Sequence, residues 1–267
     1  MPETTTLAPT RTGIHPAWPV AVVAFVALVG AAGFRAAPGV LMVPLEEEFG
    51  WKRTLMSSAV SLNLILYGLM APFAAALMDR FGIRQVTSFA LLLIAAGSGL
   101  TIFVSQGWQL MLTWGLLIGL GTGSMAMVFA ATIANRWFVA RRGLVMGILT
   151  AAAAAGQLMF LPVMANLAAS YSWRAASIAV SVAALAVVPF VILVLRDYPV
   201  DRGVRAYGAS PDTVDSAPPD PAGAAQRALS ALRDASKTAT FWALAGGFAI
   251  CGATTNGLIG THFIPSA

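Results

Sequence analysis

Charge is scarce in this chain. Its 267 residues include only 16 Lys and Arg, 11 Asp and Glu, and two histidines, His15 and His262. A soluble domain carries charge on about a quarter of its residues; here the fraction is 10%. So few charges cannot cover a surface wetted all round. Cysteine is scarcer still. The single Cys251 excludes an internal disulfide framework and any Cys-rich metal site. Two histidines nearly 250 residues apart leave no metal-ligand cluster and no catalytic set, and no Gly-x-x-x-x-Gly-Lys loop is present to cradle phosphates. The chain is therefore expected not to be an enzyme or a primary pump, and to need no cofactor and no metal.

Apolar residues fill the space that charge leaves. They make up 58% of the chain, and the mean hydropathy is +0.78. A membrane-spanning helix needs about 20 mostly apolar residues. Six stretches qualify, at 18–43, 55–78, 86–104, 108–134, 143–169 and 173–195, and a seventh runs over 240–264. The polar tail ahead of the first stretch lacks the short apolar core and cleavage site of a secretory signal, so that span is expected to be retained.

The basic residues orient these spans. With the N-terminus in the cytoplasm and one crossing per span, twelve of the sixteen fall on the cytoplasmic side. They are Arg11, Arg80, Arg84, Arg136, Arg141, Arg142, Arg196, Arg202, Arg205, Arg227, Arg233 and Lys237. Only Lys52, Arg53 and Arg174 fall on the other side, and Arg35 lies within a span. Such an excess on cytoplasmic loops is the positive-inside pattern. The net charge of +5 is thus a topology signal, and no nucleic-acid partner is expected.

Proline and polar residues divide the chain. Residues 196–239 contain Pro199, Pro211, Pro218, Pro219 and Pro221 among Asp, Ser and Gly, too polar and too broken to span or to pack as a core. The end of that stretch, 224–237, has the pattern of a short surface helix. The expected organisation is a cytoplasmic tail (1–17), a six-helix transmembrane bundle (18–195), a cytoplasmic central loop (196–239) and a seventh span opening a second bundle (240–267). The fold class is all-α integral membrane, and the chain is expected to be the N-terminal part of a longer one.

Short motifs lie in the loops. Asp79-Arg80-Phe81-Gly82-Ile83-Arg84, between the second and third spans, resembles the loop signature Gly-x-x-x-Asp-Arg-x-Gly-Arg-Arg of the major facilitator superfamily. Asp79, Arg80, Gly82 and Arg84 match, while Ala75 and Ile83 depart from it. The run Asn135-Arg136-Trp137-Phe138-Val139-Ala140-Arg141-Arg142-Gly143 is similar to the Arg-Trp-Phe-x-x-x-Arg-Gly loop of the monocarboxylate and oxalate/formate transporter branch. Pro44 to Arg53 and Tyr171-Ser172-Trp173-Arg174 share its flavour, and the likeness extends over about 25–195. It implies a facilitator fold of about twelve spans, with Asp79, Arg80, Gly82 and Arg84 as a gating loop that latches the first half to the second. Facilitators of this kind often carry an arginine in the fourth span, where this chain has Gly115. The glycines of spans four and five, at four-residue spacing, are expected to serve helix packing.

Arg35 is the candidate that composition alone singles out. It sits inside the first span between Gly33-Phe34 and Pro38-Gly39, and none of the six spans contains an Asp or Glu. A buried arginine costs at least about 2.5–3.5 kcal/mol to insert, so it faces a cavity, a partner or a pathway. Guanidinium grips carboxylate bidentately, which points to an anionic substrate. The competing reading is a side chain snorkelling toward Glu46–Glu48 at the outer interface. Asn63 and Tyr67, four residues apart on one face of span two, and Gln157 in span five are expected to line the same cavity. Asn166, Asn256 and His262 are weaker candidates. The expected function is secondary active or facilitative transport of a small organic anion, a monocarboxylate or small dicarboxylate, by uniport, proton symport or exchange for a counter-anion. The transporter is expected to be monomeric, with lipid around it, in the cell membrane. The alternatives are a facilitator of a neutral or aromatic solute, and a non-transporting membrane sensor or assembly subunit.

Overall fold

The computed structural model describes residues 15–210, 224–252 and 254–255. Six helices long and apolar enough to cross a membrane follow one another: α1 (Ala17–Phe49), α2 (Arg53–Phe81), α3 (Ile83–Phe103), α4 (Gly107–Trp137), α5 (Arg142–Ser170) and α6 (Trp173–Val194). Two shorter ones follow, α7 (Ala224–Ala235) and α8 (Ala239–Gly252). Spans two to six begin and end within about three residues of the expected positions. The first continues past Val43 through Pro44, carrying Glu46, Glu47 and Glu48 on its last turns. Its 33 residues reach about 50 Å at 1.5 Å per residue, well beyond an apolar core of about 30 Å.

The helix ends follow local chemistry. Gly50 stops α1 in the left-handed region (φ 64°), its N–H donating to the Glu46 carbonyl at 2.9 Å. The Ser172 hydroxyl accepts from the Ala175 N–H and starts α6. Glycines then set the spacing between helices. A Cβ on Gly119 or Gly123 of α4 would lie 3.2 Å from Asn63 Cα or 3.0 Å from Tyr67 Cα on α2, and one on Gly156 would lie 2.9 Å from the Val29 carbonyl of α1. These glycines serve backbone contact, whereas Gly143 and Gly147 face open space.

α1 is the spine of the bundle, packed against α5 and α6, while α4 lies against α2 and α3. The buried apolar residues form two clusters, one at the end that holds the α2–α3 and α4–α5 loops and one at the end that holds Trp51 and Trp173. The former is called the basic end below. α2 and α5 are the most exposed of the six.

α4 is not a regular helix. Met111–Leu117 is wound as a π-helix, and the chain breaks again at Met125 (ψ 17°) and Ala126 (ψ −165°) before Met127 restarts it. Irregular backbone at membrane depth survives only where protein buries it or a cavity hydrates it; Met125 and Ala126 are buried.

The stretch after α6 departs from expectation. Residues 196–209, expected to be too polar to pack, fold back on the bundle. Pro199–Arg202 forms a buttress turn with Pro199 buried, and Tyr207 pairs with Phe138 as a short parallel bridge. Local polarity did not prevent packing because the segment bonds its own turns internally and Tyr207 bonds its backbone to the α4–α5 loop.

Candidate functional site

Arg35 lies midway along α1, and its guanidinium carbon sits 4.8 Å from the centre of the Tyr67 ring on α2. It is partly exposed and has no ion pair among the described residues. Two of the three carboxylates toward which it was weighed as snorkelling, Glu46 and Glu48, are engaged elsewhere. Glu46 holds Arg53 at 2.8 Å, and Glu48 accepts from Arg174 and from the Trp173 indole, each at 2.5 Å. They also start about 16 Å farther along the helix, at 1.5 Å per residue. Arg35 instead borders a cleft of about 20 Å³ shared with Leu28, Ala31 and Ala32 of α1, Thr122 and Met125 of α4, and Ala153 of α5. Such a volume holds about one water. The helix break at Met125–Ala126 lies on its wall.

The other candidates separate. Tyr67 of α2 meets the Arg35 guanidinium through its ring face. Gln157, partly exposed on α5, lies one turn before Phe160, whose ring is 3.3 Å from the position of a Cβ on Gly33 of α1. Asn63 has its amide committed: Nδ2 donates to the Trp114 carbonyl at 2.8 Å, within the π-helical stretch. The wide turn frees a carbonyl there, and Asn63 satisfies it across the α2–α4 seam. The Trp114 indole donates in turn to the Thr101 hydroxyl at 3.2 Å. Asn166 accepts from Ser170 near the end of α5. Asn256 and His262 lie outside the described residues.

A second constellation occupies the basic end. Asp79, at the end of α2, is paired with Arg136, at the end of α4, at 2.6 Å. The Arg136 guanidinium rests over the Tyr198 ring at 4.5 Å. Asp197 accepts from the Arg84 N–H at 3.0 Å, closing the N-terminus of α3. Gly82 is required twice over: its φ is 87°, and a Cβ would come within 2.5 Å of Asp197 Oδ2. Arg136 Nη1 and the Tyr198 hydroxyl are buried with no hydrogen-bond partner among the described residues. Burial pushes the Tyr198 hydroxyl pKa up, the adjacent Arg136 cation pulls it down, and Asp79, Asp197 and Asp201 add to the rise. Arg80 and Arg84 have no ion pair among the described residues.

Beside it, Tyr207 stitches the segment to the Arg-Trp-Phe loop. Its N–H donates to Trp137 O at 2.8 Å, and its carbonyl accepts from Val139 and Ala140 at 2.9 and 3.0 Å. Its ring meets His15, Trp18 and Phe138 edge-on or tilted. Burial holds the His15 pKa below the ordinary range, opposed by a backbone hydrogen bond with Arg205. Sequence reasoning missed Asp197, Tyr198 and Tyr207. The signal was Asp197-Tyr198-Pro199 two residues after Leu195 closes the sixth span, where an aromatic breaks an otherwise polar run.

A sequence profile of the Major Facilitator Superfamily matches residues 22–266. Among curated proteins, the chain is 27% identical over 164 residues to the uncharacterized MFS-type transporter YcxA of Bacillus subtilis (strain 168), covering 61% of this chain and 40% of that protein. It is 30% identical over 158 residues to monocarboxylate transporter 14 of Mus musculus, covering 59% and 31%. It is 30% identical over 170 residues to monocarboxylate transporter 13 of Rattus norvegicus, covering 63% and 39%. The match spans well under half the length of these relatives.

Proposed function

This chain belongs to the Major Facilitator Superfamily, a family of transport proteins rather than enzymes, and we propose that it forms the N-terminal half of a carrier for a small organic anion. The substrate class is a monocarboxylate or small dicarboxylate, taken across the cell membrane by alternating access with the basic end in the cytoplasm. Arg35 carries this reading. It is a cation inside an apolar helix, with no carboxylate paired to it among the described residues, beside a cleft at a break in α4. A bidentate grip on a carboxylate answers both its charge and its planar geometry. Tyr67 holds the guanidinium in place through its ring face, and Gln157 faces the same region from α5. Asn63 contributes by fixing the α2–α4 seam. The loop of Asp79, Arg80, Gly82 and Arg84 is the gate, and Arg136 Nη1 and the Tyr198 hydroxyl, without a partner among the described residues, are positions for groups of the second half. The names of the monocarboxylate transporters agree with this substrate class.

The test is uptake of a labelled monocarboxylate and of its neutral amide by the complete transporter in proteoliposomes. A charge-assisted hydrogen bond is worth about 1.5–3 kcal/mol, so Arg35→Ala should weaken carboxylate affinity by about 10- to 150-fold. Arg35→Lys should restore part of it. A neutral or aromatic solute is favoured by one observation, the Tyr67 ring that already answers the Arg35 charge. Amide uptake at the wild-type rate, with carboxylate uptake indifferent to Arg35→Gln, would establish that alternative.

A further inference from the structure

An apolar groove of about 500 Å³ opens between α2, α3 and α4, away from Arg35. Met70 and Leu77 of α2, Phe89 and Leu93 of α3 and Leu120 of α4 wall it, and Phe81 and Gln85 stand at its mouth. Phe81 and Phe89 are exposed, at 48% and 63%. The groove starts at the basic end, where α2 passes into α3, and reaches mid-span at Leu93 and Leu120. Along α3, from Gln85 to Leu93, that is about 12 Å at 1.5 Å per residue. One leaflet of an apolar core is about 15 Å deep, half of about 30 Å. Its length is therefore that of one leaflet.

The mouth has the complementary charge. Arg80 is exposed and lies 5.2 Å from the centre of the Phe81 ring, which holds the guanidinium beside the opening. No carboxylate pairs with Arg80 among the described residues, since its neighbour Asp79 is bound to Arg136. Gln85 adds an amide on the facing helix. We propose that this groove is a site for an anionic phospholipid of the leaflet at the basic end. One acyl chain lies along Leu77, Phe89 and Leu93, and the phosphate is gripped by Arg80 with Gln85 beside it. Guanidinium binds phosphate bidentately, and anionic lipids gather at basic residues at a membrane surface. The site rests on the membrane-spanning fold and is independent of the role given to Arg35.

Native mass spectrometry of the complete transporter tests it, with equimolar dioleoyl phosphatidylglycerol and dioleoyl phosphatidylcholine added to the micelles. The wild type should retain phosphatidylglycerol about two- to fivefold over phosphatidylcholine, as one exposed ion pair implies. Arg80→Gln should bring the ratio near one, Arg80→Lys should keep part of it, and Ser124→Phe, which puts a ring into the groove that Ser124 of α4 also lines, should release both lipids. Variants are compared only at wild-type melting temperature, and the exposed Arg80 pair carries the test if Ser124→Phe does not fold. Equal retention of the two lipids by the wild type overturns the proposal. So does a preference that survives Arg80→Gln, or a wild type that retains neither lipid because the second half covers the groove.

Discussion

Replacing Arg136 by glutamine removes the cation on which the basic-end cluster converges. Its partner Asp79 is 33% exposed and Arg136 itself 11%. Exposed pairs contribute about 0.2–1 kcal/mol, and breaking a buried pair costs about 3–5. Partial burial of both partners puts this one at about 1–2 kcal/mol. The guanidinium over Tyr198 at 4.5 Å adds about 0.5–1 kcal/mol. Together, Arg136→Gln should shift the equilibrium between inward- and outward-facing states by about 2 kcal/mol, close to 30-fold, if the cluster exists in only one of them. Single-molecule FRET between labels on the two ends of the complete transporter reads that shift. Asp79→Asn should produce most of the same effect, and the double variant little more, giving a coupling energy of about 1 kcal/mol or greater. Arg136→Lys keeps the charge but loses the planar stack on Tyr198, so it should fall between. Additivity of the two single variants within about 0.3 kcal/mol would refute the reasoning, because independent side chains add in that way.

Three further outcomes follow from the same geometry. Gly82→Ala should lower the melting temperature in detergent, since φ 87° with ψ 154° is a region essentially reserved for glycine and costs another residue about 1–3 kcal/mol, and the new Cβ displaces the Asp197 carboxylate from the α3 N-terminus; a wild-type melting curve would remove Asp197 from that role. His15 favours its neutral form in the folded state, so the unfolded tail binds more protons. The docking it supports is complete above the ordinary histidine pKa of about 6.5 and weakens as pH falls below it. Hydrogen-exchange protection factors at Val139, Ala140 and Tyr207, taken relative to the intrinsic rate at each pH, should fall on acidification in the wild type and lose that dependence in His15→Gln. Reporters fused after Ala140 should locate to the cytoplasm and those after Gly50 to the opposite side, and reversed signals would invert the proposed orientation.

The six spans, their spacing and the scarcity of charge were legible in the residues alone, because hydrophobicity is a local property that adds along the chain and a bilayer sets one length for every span. Arg35 stood out for the same reason: one cation in an apolar run is visible without any knowledge of its surroundings. Its partner was not. That Tyr67 lies over Arg35 depends on how α1 and α2 lean together, and that Asn63 binds Trp114 depends on a π-helical stretch which an apolar, glycine-rich run does not announce. Asp79 meets Arg136 across 57 residues, and Asp197 meets the Arg84 amide across 113. The tail after α6 read as a linker because its composition is polar, but Asp197 and Tyr207 bond to loops that sequence order keeps apart. Composition decided which segments enter the membrane. Packing decided which polar groups are answered, because a hydrogen bond or ion pair needs two groups within about 3 Å, and only the assembled bundle brings them there.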